Sequence, residues 1–330
     1  MEVVSRPRVL ILVTVFQPSI RLLVRQLDSI SQQTLPDFEC VVSIDGAQQS
    51  DIEQIGLILP DQRFRIHGDG FRRGLYAHVE FLIQKFCHDH EFVAIADQDD
   101  EWMPDRLSGQ ISCLKLSMYS MVTDDAFVVR PESRHLPRGN IDFLFDILGI
   151  SDASKEFGVL TNFATGAGSL YRGTILKFAI PFPSQIGPQV HDHWLLLVSL
   201  LHGDCVIRND QTWKYIQHDK NQIGVASINS PARRVLVVIK KLTSILKYKL
   251  VTRDDPVISQ LIVNTKVLLD RSAGIQISPM LFDQLFLLRH SRSHLISISA
   301  LKRSRLETLR LFLWWKRYKS KLEELNLNSF

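Results

Sequence analysis

The chain has 330 residues, 45% hydrophobic and 22% charged, the balance of a soluble globular protein with room for a sizeable core. No apolar run reaches the roughly 18–20 residues needed to span a bilayer. The four cysteines, Cys40, Cys87, Cys113 and Cys205, stand too far apart for a CxxC zinc site or a disulfide framework, which suits a reducing cytosol.

In chain order, Val9 to Val15 is a short, β-branched run without a cleavage pattern, and it reads as a buried strand, not a signal peptide. Ile20 to Ser31 has helical periodicity through Ile20, Leu23, Val24, Leu27 and Ile30. Phe38 to Ile44 is a second strand ending at Asp45-Gly46, and Arg63 to His67 a short third. Tyr76 to Phe86 reads as a helix, and Phe92 to Ala96 as a strand that runs into Asp97. Pro104 marks the next helix start. Alternating strands and helices predict an α/β fold with a mostly parallel central sheet flanked by helices. Ligands bind beyond the carboxyl ends of such strands, which brings Asp45 and Asp97 to one rim.

From Thr123 to Leu160 the pattern turns irregular, with Pro131, Pro137, Gly139 and Gly149, as in a pocket-shaping loop region with a short helix. Thr165 to Ser169 is a small-residue turn, and His191 to Leu201 is a helix. Beyond Pro231 the pattern is helical. The expected division is a catalytic domain over 1–228 and a helical extension over 229–330. Charge follows it: residues 1–230 carry 20 Lys and Arg against 28 Asp and Glu, whereas residues 231–330 carry 19 against 7. An acidic body with a basic tail implies different partners for the two parts.

Asp97-Gln98-Asp99-Asp100 closes an apolar strand. Three carboxylates this close repel one another, and a divalent cation offsets the repulsion. Mg²⁺ and Mn²⁺ prefer oxygen ligands, and Mg²⁺ uses one or two carboxylates together with substrate phosphates. Alone, the same residues equally suit a solvated turn that caps the next helix. No GxGxxG, P-loop or GxSxG pattern occurs, so nicotinamide, P-loop and serine-hydrolase chemistry lose support.

Four motifs in order add context: Asp97-Gln98-Asp99-Asp100-Glu101-Trp102, the run from Thr165 to Arg172, His191-Asp192-His193-Trp194, and Tyr215 to Gly224 around Gln217-His218. Together they resemble the family 2 glycosyltransferases of GT-A fold, and more narrowly the bacterial rhamnosyltransferase-like branch, over about residues 8–225. The resemblance implies a nucleotide-sugar donor bound by Thr14, Asp45, Asp97 and Gln98. It implies a divalent cation, Mg²⁺ or Mn²⁺, at Asp97, Asp99 and Asp100, and Asp192 as the general base. Gly166, Ala167, Gly168, His191, Trp194, Gln217 and His218 become candidate contacts to acceptor or diphosphate. The chain departs from the family pattern in its single acid at Asp45, in His78 where Asn is usual, and in Ile216 where Arg is usual.

Transfer to a hydroxyl with inversion needs one general base opposite the leaving group, and Asp192 opens an apolar helix that would anchor it. The expected acceptor is a bacterial surface polysaccharide or a lipid-linked glycan. Arg303 to Lys319 mixes cations with Leu, Phe and Trp, as in helices that lie on a membrane. The expected location is cytoplasmic, with peripheral contact at the inner membrane face and no nucleic-acid partner. The competing readings are a metal-dependent phosphohydrolase and a non-catalytic nucleotide-sugar-binding scaffold.

Overall fold

The computed structural model describes residues 8–115, 118–129, 142–148, 150, 162–184, 190–218, 221, 263–264 and 267–268. Strand β1, Val9–Val15, is buried along its whole length. Its side chains alternate between two cores: Leu10 and Leu12 enter one, Val9, Ile11, Val13 and Val15 the other. A strand covered on both faces has no polar side, which explains its unbroken apolar run.

Helix α1, Ile20–Ser31, packs Leu23, Leu27 and Ile30 into the second core. Strand β2, Phe38–Ile44, then runs parallel to β1. Helix α2, Gln49–Gly56, leads to β3, Phe64–His67, which runs parallel to β2. Helix α3, Leu75–Phe86, buries Val79, Leu82 and Ile83 in the first core. Strand β4, Phe92–Asp97, lies parallel to β1 on its other side.

The expected parallel sheet is found in these four strands, in the order β3-β2-β1-β4. Past the acidic turn come β5, Glu101–Trp102, helix α4, Arg106–Leu114, and β6, Tyr119–Val129. Strand β7, Asp142–Phe143, pairs with β6 and is followed by the short helix α5, Leu144–Leu148. Strand β8, Ser169–Arg172, helix α6, Gly173–Ala179, helix α7, His191–His202, and β9, Asp204–Ile216, complete the described elements. Beyond β4 the sheet is mixed. Strand β8 runs antiparallel to both β4 and β6, β9 runs parallel to β6, and β5 closes the edge against β9.

The expectation of irregular chain from Thr123 is corrected by β6, which continues to Val129. Its Asp124-Asp125 pair breaks the apolar pattern, yet both carboxylates are bonded inside the protein. Thr212 Oγ1 donates to Asp124 Oδ2 at 2.6 Å, and Asp125 Oδ1 accepts the Phe145 N–H at 2.8 Å. Buried polar groups persist where they find such partners.

The extension lies outside the described residues except for four positions. One of these, Leu268, is 1% exposed and belongs to the same core as α3 and α7. Among the described residues no helix is long and apolar enough to cross a membrane.

Candidate active site

Strands β1, β2 and β4 end together. Thr14 sits in register with Ser43 on one side and Asp97 on the other, and Asp45 donates its N–H to Val15 O at 2.8 Å. Thr14, Asp45 and Asp97 thus share one rim, as the topology predicted.

Asp45 is buried, and its carboxylate is committed. Oδ1 accepts the Arg73 N–H at 2.6 Å and Oδ2 the Gly74 N–H at 2.8 Å. His78 Nδ1 lies 3.6 Å away, where burial pushes the imidazole pKa down against the raising pull of Asp45. Asp45 thereby folds the segment before α3 over the strand ends. Gly46 permits this: its φ of 78° is left-handed, and Arg72 Cβ lies 3.1 Å from where a side chain would begin. The exposed Arg72 guanidinium then stacks 4.5 Å from the centre of the Phe16 ring. Sequence reasoning passed over both residues. The available signals were an aromatic just past β1 and the Arg-Arg-Gly before α3.

The four residues of the acidic turn point in different directions. Gln98 accepts the Phe16 N–H at 2.8 Å and returns a hydrogen bond to Phe16 O at 3.0 Å. Both ends of the amide of Gln98, expected at the donor, hold the β1 terminus. Asp100, expected at the metal, turns inward. It is 1% exposed, and Oδ1 accepts the Ile216 N–H at 3.3 Å. Burial, then Asp97 and Asp99, push its pKa well up.

Asp97 and Asp99 remain. Asp97 is pushed up to about 7, first by removal from water, then by the charges of Asp99 and Asp192. Asp99 Oδ2 lies 2.7 Å from His218 Nε2. Backbone bonding holds His218 in place: Gln217 N–H reaches Val129 O at 2.8 Å, extending the β6–β9 pairing, and Asn221 N–H reaches His218 O at 3.2 Å.

Among the described residues no group of three His, Cys, Asp or Glu side chains gathers as a ready-made metal cage. Asp99 with His218, and Asp97 beside them, still fits a hard cation that takes one or two protein ligands and fills its shell with phosphate oxygens and water. The mutual repulsion that raises Asp97 is the kind of strain a cation relieves.

Asp192 lies in the first turn of α7, whose N-cap is Val190. Its Oδ1 accepts the His193 N–H at 2.8 Å, and its Oδ2 accepts the Gly166 N–H at 3.3 Å. Gly166 opens the buried 3₁₀ turn Gly166–Gly168, and a Cβ there would lie 2.7 Å from His191 Nε2. The base candidate is thus held from two separate segments, and its charge reaches Asp97 across the rim.

Residues 7–190, more than half of the chain, match the family described as "Glycosyltransferase like family 2". The chain belongs to this family. It is a glycosyltransferase of GT-A fold. No curated protein matches its sequence significantly. Among solved structures, Staphylococcus aureus TarS 1-349 in complex with UDP-GlcNAc is 13% identical, with a TM-score of 0.50 over 98% of this chain and 93% of that one. The mannosyltransferase PcManGT from Pyrobaculum calidifontis, in complex with GDP-Man and Mn²⁺, is 15% identical, with a TM-score of 0.48 over 98% and 88%. At these identities the TarS likeness speaks to the fold alone.

Two of the expected acceptor contacts lie in the interior. Trp194 is fully buried and donates its indole N–H to Ala179 O at 2.9 Å, which anchors α7 in the core. His191 is buried against Gly166, and burial pushes its pKa down. Gly166 serves through its N–H to Asp192, and Ala167 and Gly168 are buried with it.

Proposed function

We propose that this glycosyltransferase moves a hexose from a nucleoside-diphosphate donor, with inversion, to a hydroxyl of a growing bacterial surface polysaccharide or lipid-linked glycan. On its motifs, the proposed sugar is rhamnose. What supports the reading is the hydrogen bond from the Gly166 N–H to Asp192, because the Gly166–Gly168 turn packs against β4, the strand that ends in Asp97. The Asp192 carboxylate takes the proton of the acceptor hydroxyl while the bond from the sugar to the diphosphate breaks. Asp99 and His218, with Asp97 beside them, would hold Mg²⁺ or Mn²⁺, which when bound offsets charge on the leaving diphosphate. TarS, of the same fold, is seen in complex with UDP-GlcNAc, and the donor proposed here is of that class. Sugar-transfer assays over a donor panel, with wild type, Asp99→Ala and Asp192→Ala, test the reading; equal activity in all three overturns it.

The Arg72–Phe16 pair supplies a flat cationic surface beside the strand ends, suited to stacking a nucleobase. Base stacking is worth about 1–3 kcal/mol, so Arg72→Ala is expected to raise the donor KM about tenfold with kcat little changed. Steady-state kinetics with competing nucleoside diphosphate checks this. An unchanged KM rules the platform out.

We assign 1–228 to catalysis and 229–330 to a basic extension. Its segment from Arg303 to Lys319 makes peripheral contact with anionic lipid at the cytoplasmic face of the inner membrane. Deleting residues 300–330 leaves Leu268 in place and is expected to abolish co-sedimentation with anionic liposomes. Unchanged sedimentation removes this role.

A further inference from the structure

Helix α4 carries two buried polar side chains, and neither reaches the rim. Arg106 is 0% exposed. Its guanidinium carbon lies 4.0 Å from the centre of the Trp102 ring, and its Nε donates to Gln110 Oε1 at 3.4 Å. A cation is buried at high cost unless opposite charge faces it. Burial pushes the Arg106 pKa down, to about 10, while the charges of Asp124 of β6 and Asp100 of the acidic turn pull the other way and Arg208 adds to the lowering. Both carboxylates are tied to β9, Asp100 by the Ile216 N–H and Asp124 by Thr212. Arg106 thus packs against β5, which directly follows the acidic turn.

Gln110 faces the other way along the same helix. Its Nε2 donates to Gly168 O at 2.8 Å. Gly168 closes the turn whose first residue, Gly166, donates to Asp192. The helix itself is fixed at its start, since Gln33 donates to Met103 O at 2.7 Å and accepts the Leu107 N–H at 3.1 Å.

We propose that Arg106 and Gln110 are positioning residues that make α4 the strut setting the distance between the acidic turn and Asp192. The proposal rests on the roles given above to Asp99 and Asp192. Both variants lose the long 3.4 Å Arg106–Gln110 bond, so they differ in what else they lose: the Gly168 link in one, the Trp102 stack in the other. Displacing a reacting group by about 1 Å costs about 100-fold in rate. Gln110→Met, which cuts the link to Gly168, is expected to lower kcat about 10- to 100-fold while donor KM and Mn²⁺ affinity stay within about twofold. Arg106→Lys keeps the charge but loses the planar stack, and it is expected to weaken Mn²⁺ binding about tenfold.

Mn²⁺ affinity is read from the electron paramagnetic resonance of free ion over the full-length protein, alongside kinetics and melting temperature. Gln110→Asn is too short to bridge Arg106 and Gly168 and carries the same test should the Met variant not fold. The strut is overturned if Gln110 variants keep wild-type kcat. It is also overturned if kcat, KM and Mn²⁺ affinity all decline together with the folded fraction. Wild-type transfer in Asp192→Asn or Asp99→Ala would instead overturn the roles beneath it.

Discussion

Asp192→Asn is expected to lower kcat by about 10²–10⁴-fold while leaving donor KM and melting temperature near the wild-type values. The substitution keeps the shape of the side chain and one oxygen to accept the His193 or Gly166 N–H. What it removes is the capacity to take a proton. The negative charge in the first turn of α7 also gains from the helix dipole, typically about 0.3–1 kcal/mol, a small effect beside the loss of the base. Asp192→Ala removes the two backbone bonds as well, so it should add a stability loss of about 1 kcal/mol. Measuring both variants separates the two contributions. Single-turnover transfer, with the product anomer assigned by NMR, is the deciding experiment. Transfer by Asp192→Asn within about twofold of wild type would remove Asp192 as the base, since a lone general base contributes at least about 100-fold. A retained anomeric configuration would remove the single-base mechanism itself.

The same helix shows which parts of the fold were legible in the sequence. Strands β1, β2 and β4 are covered on both faces, so each is an apolar run that stops where the rim begins. Helix α1 shows its buried stripe through Leu23, Leu27 and Ile30. Strands β6 and β9 were hidden for the opposite reason. Their polar residues face each other across the pair, as Asp124 faces Thr212 and Asp125 faces Gln211, and neither strand looks like one without its partner. Helix α2 was passed over because Ile55 is the residue it buries, too little for a periodic signal.

The candidate site was legible in its residue types more than in its directions. Motif order brought out Asp97, Asp99, Asp192 and His218, and the fold brings Asp99 against His218 and the charge of Asp192 onto Asp97. Nothing in a run of four polar residues says which side chain turns inward. Gln98 turns to Phe16, and Asp100 turns to Ile216. Arg106 was equally hidden, because an arginine in the first turn of a helix ordinarily reaches water, and here it is buried against the Trp102 ring.

Asp99→Ala is expected to separate function from stability most sharply. Asp99 is the carboxylate that His218 meets at 2.7 Å, so its loss takes away one of the side chains proposed to hold a cation. Charge neutralisation at a leaving diphosphate is worth several kcal/mol, which corresponds to a loss in kcat/KM of about 10²–10⁴-fold. The donor should also lose its metal-dependent hold on the protein. In wild type, nucleoside diphosphate with Mn²⁺ at about 100 times Kd should stabilise the fold by about 2.7 kcal/mol, whereas Asp99→Ala should show little shift at the same concentrations. Without metal the expectation reverses. Asp99 and Asp192 both press on Asp97, so removing one of the crowded negative charges should leave the melting temperature unchanged or raise it. A residue kept for the architecture of the turn would behave differently, lowering stability with and without ligand. Calorimetry of wild type and variant, each with and without Mn²⁺ and nucleoside diphosphate, distinguishes the two. A fall in the metal-free melting temperature together with an intact ligand shift would make Asp99 a structural residue and move the cation site elsewhere.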